Sequence, residues 1–526
     1  MLRQIRKWLG PVTIGVLSVA GIAAGLFALT AKPPRSEQTV QGNPAVFERP
    51  FPKSPPPRAD LNKLVEKALV RGVEYLIQQQ RKDGSWRSQR YESFQDGTAL
   101  TPLAAYALEC VYDSSRPQDN LLNNLLNETK LKASVRRSVE FLMRYNRKDG
   151  TLNLKEDELP YPVYTASLTL LVLSPHGAHP LFSDFRTRYG FSHEELRGGW
   201  MRYLKDRQLT ARLGWHPEED VFYGGWGYCR LMPRAPKSGE LTPPLLESNL
   251  SATAFALEAL QAVGELDDET RLAARRFVLR CQNWSQPPGP GDDGGFFFIP
   301  NGDPVRNKAG RLVDLMRAAE GPSRNLDNIP GEKMVSYGSA TADGLIAMLT
   351  YTRPTRDIYV VGPDKKSPLA VQLREDDKER IKAAMRWLLE NGHVCFNPPN
   401  FANNPHVIAC RPRLDGAYFY YLARVAQLDP DGMNQDLARS EGRDNGAVAN
   451  PFGIAGPWTF WEALAWQLCQ LQRPDGFWVN PYDFMREDEP IVATSFALLA
   501  LSRFDRSAVF KQIRQIRDTI GNPGDP

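Results

Sequence analysis

The amino-acid sequence predicts an all-α protein in which six helical hairpins form a single ring after one N-terminal transmembrane helix. Three observations lead to this prediction. An amphipathic helical pattern recurs along the chain, and each copy is followed by a segment that is apolar on almost every helical face. Turns containing Asp-Gly separate the two segments in several copies. An uncharged segment of 20 residues lies close to the N-terminus.

The first hairpin shows the pattern clearly. Apolar residues follow helical spacing from Leu61 to Ile77, and the segment Gln80–Trp86 (QRKDGSW) then ends the helix with an Asp-Gly pair. The following segment, Gly97–Glu109, is apolar nearly throughout, as expected for a helix buried on all sides. The same helix type recurs at Tyr164–Leu173, Ser251–Leu260, Ser339–Leu349, Asp415–Val425 and Val492–Leu501.

Six pairs of this kind predict two layers of helices. The later amphipathic segments begin near Lys132, His193, Asp268, Asp376 and Trp458. The pairs align at Thr98, Thr165, Thr253, Thr341, Ala417 and Thr494. Apolar helices belong inside and amphipathic helices outside. We therefore expect residues 59–505 to close into a ring around a central funnel, with an open solenoid as the alternative.

The N-terminal segment Val12–Ala31 carries no charge and would span about 30 Å as a helix, which is enough to cross a bilayer. Basic residues precede it, and these remain in the cytoplasm under the positive-inside rule. We expect residues 1–31 to be an uncleaved membrane anchor, with a cleaved signal peptide as the alternative. Either interpretation places the ring on the extracytoplasmic side. A proline-rich linker, residues 32–58, follows, and residues 506–526 form a C-terminal tail.

Charge and cysteine content exclude some classes of function. The net charge is +4, and five basic residues before position 36 contribute +5, which leaves −1 for the rest of the chain. A body of this charge is not expected to bind nucleic acid. The six cysteines are scattered without a C-x-x-C motif, so no disulfide framework is predicted.

The sequence of two turns resembles a repeat motif of a known family. Gln80–Trp86 and Gln472–Trp478 both contain Gln-x-x-Asp-Gly-x-Trp, which resembles the repeat motif of squalene cyclases. The resemblance covers roughly residues 60–505 and implies an α/α-toroid of the squalene cyclase and prenyltransferase repeat superfamily. Because one fold hosts many activities, it does not settle the function.

The activity motifs of that superfamily are incomplete in this chain. Proton-initiated cyclases carry Asp-x-Asp-Asp before an inner helix, and here only Asp96 occupies such a slot, with a turn aspartate as the alternative. In prenyltransferase β subunits an Asp-Gly-Cys-Tyr segment and a histidine bind zinc. Asp415 matches the aspartate, but Ala417 and Ala493 replace the other two ligands. Asp343, inside the fourth apolar helix, is a third candidate acid.

Other candidate residues are assigned to ligand or metal binding. Arg411 and Arg413 are candidates for holding an anionic head group, with a solvated basic loop as the alternative. The aromatic candidates for lining the mouth of the ring are Tyr337, Tyr418 and Trp458, which would stabilise a cation or bind an apolar ligand, or simply pack the helix ends. A weak zinc site is conceivable at His393, Cys395, His406 and Cys410. No cofactor is predicted.

The sequence supports two functions almost equally, and a third function depends on the weak zinc site. The first is an enzyme that acts on an isoprenoid or other lipid in the cavity, without the usual acid or a complete zinc site. The second is a non-catalytic toroid that binds a lipid, a glycan or a protein partner. A metal-dependent enzyme using the segment 393–410 is the third. Which of Asp96, Asp343 and Asp415 point into the ring is the observation that best separates them.

Overall fold

The computed structural model describes residues 49, 55–114, 128–147, 149–174, 192–237, 240, 242–284, 292–300, 336–352, 368–399, 414–440, 448, 451–454, 458–483 and 485–503. The chain divides into two compact units, Met1–Phe47 and Glu48–Pro526, and all of these residues belong to the second. The predicted anchor Val12–Ala31, nearly all of the linker and the tail lie outside the described residues. Within the described ranges, none of the helices combines the length and hydropathy needed to span a bilayer.

The described part of the chain is mainly helical, as predicted. Its α-helices are α1 (Arg58–Gln79), α2 (Leu100–Ser114), α3 (Glu128–Leu142), α4 (Pro162–Val172), α5 (His193–Asp206), α6 (Leu250–Ala262), α7 (Asp268–Arg280), α8 (Gly338–Tyr351), α9 (Pro368–Asn391), α10 (Tyr418–Gln427), α11 (Pro430–Ser440), α12 (Phe460–Leu471) and α13 (Pro490–Leu501). Short 3-10 helices lie at Glu92–Phe94, Met143–Tyr145, Ala211–Leu213 and Pro451–Gly453. The strands β1 (Trp226–Gly227) and β2 (Ser248–Asn249) pair antiparallel.

The helices form the six expected pairs, α1/α2, α3/α4, α5/α6, α7/α8, α9/α10 and α12/α13. The second helix of each pair is buried along most of its length. We call these second helices, α2, α4, α6, α8, α10 and α13, the inner helices. Helix α11 is an addition that the repeat did not predict, and it packs between α9 and α12.

Contacts between the inner helices form a closed sequence. Helix α2 packs against α4, α4 against α6, α6 against α8, α8 against α10, α10 against α13, and α13 against α2. Among the first helices of the pairs, α12 also packs against α1. The Thr165 hydroxyl, near the start of α4, donates to the Thr98 carbonyl oxygen before α2. This contact joins the beginnings of two neighbouring inner helices.

The turns between the helices of a pair attach each hairpin to the next. Gln80 Nε2 donates to the carbonyl oxygen of Gly84 in its own turn and to that of Ser134 in α3. Gln472 makes the equivalent bonds to Gly476 and to Ala68 in α1, so the sixth hairpin is attached to the first. The turn glycines have positive φ angles, which favour glycine: Gly84, Gly150, Gly224, Gly294 and Gly476.

Tryptophans of the repeat hold each turn between two helices. The indole N–H of Trp86 donates to the Leu76 carbonyl oxygen at 2.7 Å, and its backbone N–H donates to the Thr101 hydroxyl at 3.0 Å. The same pair of bonds occurs at Trp226 and at Trp478. These bonds make Thr101 the structural counterpart of Thr253 and Thr494, whereas the sequence pattern aligned Thr98 with them. The difference arises because residues 97–99 form a turn before α2.

Candidate functional site

The inner helices are buried except at a few positions, which come from all six of them. Among the residues whose burial is described, the half-buried side chains of these helices are Tyr106, Tyr164, Glu258, Gln261, Ala262, Leu349, Gln427, Pro490 and Phe496. Some of them make contacts between different inner helices. Gln427 Nε2 donates to Glu258 Oε1, and the Phe496 ring lies 5.2 Å from that of Tyr420. We call the region around the connected side chains Tyr164, Phe255, Glu258, Tyr420, Gln427 and Phe496 the inner chamber.

Asp343 on α8 is buried beside the inner chamber. The Tyr420 hydroxyl donates to both of its carboxylate oxygens, at 2.8 and 2.6 Å, and Arg424 Nε donates to Oδ1 at 2.6 Å. Tyr420 and Arg424 both belong to α10. A buried charge is stable only when it is paired in this way.

Arg424 also binds a second carboxylate, so the cluster extends over three inner helices. Its Nη1 donates to Glu258 Oε2 on α6 at 2.7 Å. The guanidinium lies 4.5 Å from the centre of the Phe255 ring, which adds a cation–π contact. Two carboxylates therefore share one guanidinium in surroundings that are mostly apolar and aromatic.

A chain of hydroxyl groups leads from β1 to Asp343. The Tyr228 and Tyr164 hydroxyls lie 3.1 Å apart, Tyr164 and Ser251 2.5 Å, and Ser251 and Tyr420 2.9 Å. Since Tyr420 donates to Asp343, its oxygen accepts from Ser251, and Ser251 in turn accepts from Tyr164. The chain gives Asp343 a continuous hydrogen-bonded connection to the first strand.

Burial and ion pairing act in opposite directions on these groups. Burial raises the pKa of Asp343 to about 6, although Arg424 and Tyr420 act to lower it. Burial alone would lower the pKa of Arg424, but Glu258 and Asp343 raise it above its usual value. The pairing with Arg424 thus favours the ionised carboxylate of Asp343, whereas its burial favours the protonated carboxyl group.

The other two candidate acids have structural partners. Asp96 is half-buried and accepts hydrogen bonds from the backbone N–H and the hydroxyl of Thr98, which is the geometry of a turn aspartate. Asp415 is fully buried before α10 and accepts from the Asn397 backbone N–H at 3.2 Å. Of the three candidates, Asp343 is the one that joins a charged cluster beside the inner chamber.

A further buried acid, Glu487, was not identified from the sequence. It accepts from the backbone N–H groups of Phe419 and Tyr420 at the start of α10, and from Asn480 Nδ2. Burial raises its pKa to about 7, and these hydrogen bonds and Arg49 act to lower it. The run Glu487-Asp488-Glu489 before the sixth inner helix was the available signal. It was missed because Glu487 caps a helix 67 residues away.

The aromatic candidates lie at three different places. Tyr337 is buried immediately before α8, and its backbone pairs with that of Pro399. Tyr418 is fully buried and its hydroxyl donates to the Val394 carbonyl oxygen. Trp458 is half-buried two residues before α12, which belongs to the outer layer. Tyr337 and Tyr418 therefore both contact the segment 394–399, whereas Trp458 precedes an outer helix.

The metal and anion candidates are described only in part. His393 Nδ1 accepts from the Cys395 backbone N–H, and the imidazole stacks on Phe396 at 4.2 Å. No cluster of three or more metal-ligating side chains occurs among the described residues. The remaining candidates lie outside the described residues: His406, Cys410, Arg411 and Arg413.

Comparison with known proteins gives only distant structural likenesses. No protein-family model and no curated protein matches the chain. The chain is similar to the type II terpene cyclase MstE from Scytonema bound to geranylgeranyl dihydroxybenzoate, at a TM-score of 0.42 and 12% identity over 85% of this chain and 98% of that one. A protein from Actinoplanes is similar at a TM-score of 0.36 and 14% identity, over 84% and 99%. Likeness at this level leaves the function open, so the functional argument rests on this chain's own residues.

Proposed function

We propose that this chain is an α/α-toroid that binds an isoprenoid or similarly elongated apolar lipid in the inner chamber. The observation that carries the proposal is the Asp343–Arg424–Glu258 cluster beside a chamber with largely aromatic borders. In the same proposal, Val12–Ala31 anchors the protein in a membrane and the toroid lies on the extracytoplasmic side.

The aromatic contacts support an apolar ligand. Phe255 lies 5.3 Å from Tyr164 and 6.3 Å from Tyr420, and Tyr420 lies 5.2 Å from Phe496. These rings come from four inner helices and form one connected set. Apolar pockets with a few convergent polar groups are typical of small-molecule sites, and the buried cluster would hold the polar end of such a ligand.

The proposal is for ligand binding and includes no chemical reaction. A cyclase needs a protonated acid to start the reaction, whereas the ion pair with Arg424 acts to lower the pKa of Asp343 and favours its ionised form. Zinc-dependent prenyl transfer needs three protein ligands, and Ala417 and Ala493 occupy two of those positions. The proposal therefore requires no metal and no proton transfer.

The binding experiment uses the full chain in detergent with radiolabelled geranylgeraniol as the probe. Gln427→Trp places a large side chain in the inner chamber, and we expect at least about a tenfold loss of affinity, or about 1.4 kcal/mol. Gln78→Trp is the matched control, because Gln78 is exposed near the end of α1. We expect it to bind like the wild type. Equal affinities for both variants, or no binding by folded wild type, would contradict the proposal.

Product analysis separates binding from catalysis. After incubation with geranylgeranylated substrates, the extracts are examined by mass spectrometry for cyclised products, with Asp343→Asn as the comparison. We expect the probe to be recovered unchanged in both cases. A cyclised product that disappears in Asp343→Asn would make the chain an enzyme with Asp343 as its acid.

A further inference from the structure

Arg49 occupies a buried position far in sequence from its partners. Its side chain is only 6% exposed. Nη1 donates to the Cys395 carbonyl oxygen at 3.3 Å, and Nη2 donates to Asn480 Oδ1 at 3.1 Å. The guanidinium carbon lies 3.8 Å from the centre of the Tyr418 ring. An arginine nine residues before α1 is thus inserted between parts of the fifth and sixth hairpins.

The groups around Arg49 are held in place by bonds that do not involve it. The Tyr418 hydroxyl donates to the Val394 carbonyl oxygen at 2.6 Å. Asn480 Nδ2 donates to Glu487 Oε2 at 2.8 Å and to the Asp415 carbonyl oxygen at 2.7 Å. These bonds orient the ring face and direct the Asn480 amide oxygen towards Arg49. The site is therefore preorganised, which lowers the entropy lost when a group binds in it.

The chemistry of the site matches a guanidinium in particular. It offers an aromatic face for stacking, two oxygen acceptors for separate N–H groups, and the Glu487 carboxyl group, which Asn480 connects to Arg49. A guanidinium is planar and presents several N–H donors in fixed directions, whereas an ammonium group cannot stack and donate in this way.

We propose that this is a guanidinium-binding site, filled by Arg49 of the same chain, which fastens the N-terminal segment to the fifth and sixth hairpins. The site lies beside the start of α10, at the N-terminal end of an inner helix. This goes beyond lipid binding and does not depend on it.

The test compares Arg49→Ala with Arg58→Ala, whose side chain is 60% exposed in a surface ion pair. Melting temperature and the rate of proteolytic cleavage within residues 32–57 are measured on the full chain in detergent. We expect Arg49→Ala to melt at least about 2 °C lower and to be cleaved several times faster. Arg58→Ala should resemble the wild type.

Chemical rescue tests the selectivity of the site. Methylguanidinium at about 10 mM should raise the melting temperature of Arg49→Ala but not that of the wild type, because ligand binding stabilises the folded state. Methylammonium at the same concentration should have no effect on Arg49→Ala. Rescue by both compounds, or by neither, would overturn a guanidinium-selective site.

A second variant covers the possibility that Arg49→Ala does not fold. Arg49→Lys keeps the charge but lacks the planar donor group, so we expect it to fold and to be cleaved faster than the wild type. Wild-type melting and cleavage in either Arg49→Ala or Arg49→Lys would show that Arg49 does not fasten the segment.

Discussion

At the scale of single residues, the buried acid Glu487 is expected to make the free energy of unfolding depend on pH. Burial raises its pKa from 4.5 to about 7, so between these values the folded state binds more protons than the unfolded state. Stability from this group is present below about pH 4.5 and is lost as the pH rises towards 7. The shift corresponds to about 3 kcal/mol.

The prediction is made for the difference between the wild type and Glu487→Gln, because the glutamine does not titrate. The free energy of unfolding is measured by urea denaturation at about pH 4.5 and pH 8. We expect the wild type to lose about 3 kcal/mol relative to the variant over this range. Asp343, whose pKa is also raised by burial, titrates in both proteins and cancels in the difference. A difference that does not change with pH would show that Glu487 has an ordinary pKa in the folded protein.

The candidate site was partly predictable at this scale. Asp343 was identifiable because an acid inside an apolar helix needs a partner. That partner was not identifiable, because Arg424 lies 81 residues away and Glu258 lies 166 residues from Arg424. Local sequence shows that a charge is buried, whereas the packing of three separate helices decides what neutralises it. The same limitation explains why the capping role of Glu487 was missed.

At the scale of helices and turns, Gly476 shows why the Asp-Gly turn recurs. Its φ angle is 90°, and a Cβ atom there would lie 2.6 Å from the Arg71 carbonyl oxygen in α1. Gly264 has a φ angle of 75°, but a Cβ atom there would meet nothing within 4 Å. A comparison of substitutions at the two positions therefore separates the cost of a positive φ angle from the cost of steric contact with the next hairpin.

We predict that Gly264→Ala lowers the free energy of unfolding by about 1 kcal/mol, through the positive φ angle alone. Gly476→Ala should lower it by about 2 kcal/mol more, because the attachment of the sixth hairpin to the first must shift. Urea denaturation of both variants at one pH measures the difference. Equal losses would mean that the contact between the turn and α1 contributes little.

The helix positions were predictable wherever local signals define the ends. α5 begins at His193 and α7 at Asp268, as expected, because Ser192 and Asp267 cap them through side-chain hydrogen bonds. α10 begins at Tyr418 instead of Asp415, since the residues before it form a separate turn and the capping carboxylate comes from Glu487. Helix α11 has no counterpart in the repeat, so periodicity did not predict it.

At the scale of the whole molecule, the contact between α13 and α2 joins the last inner helix to the first. In a solenoid the first and last hairpins have a neighbour on one side only, so they unfold locally more often than the central ones. Here α13 packs against both α1 and α2, and Gln472 binds the Ala68 carbonyl oxygen. Each terminal hairpin therefore has two neighbours, as the central hairpins do.

Hydrogen exchange measures this difference directly. We expect amide protection in α2 and α13 to match that in α6 and α8, because in a ring the terminal hairpins open only when the whole ring opens. Leu498→Ala removes packing between α13 and α1, where the Leu498 side chain borders Gly72. It should lower protection in all four helices together, by about 2 kcal/mol or more. An open solenoid would instead show faster exchange in α2 and α13 of the wild type, and Leu498→Ala would affect α13 while leaving α6 and α8 unchanged.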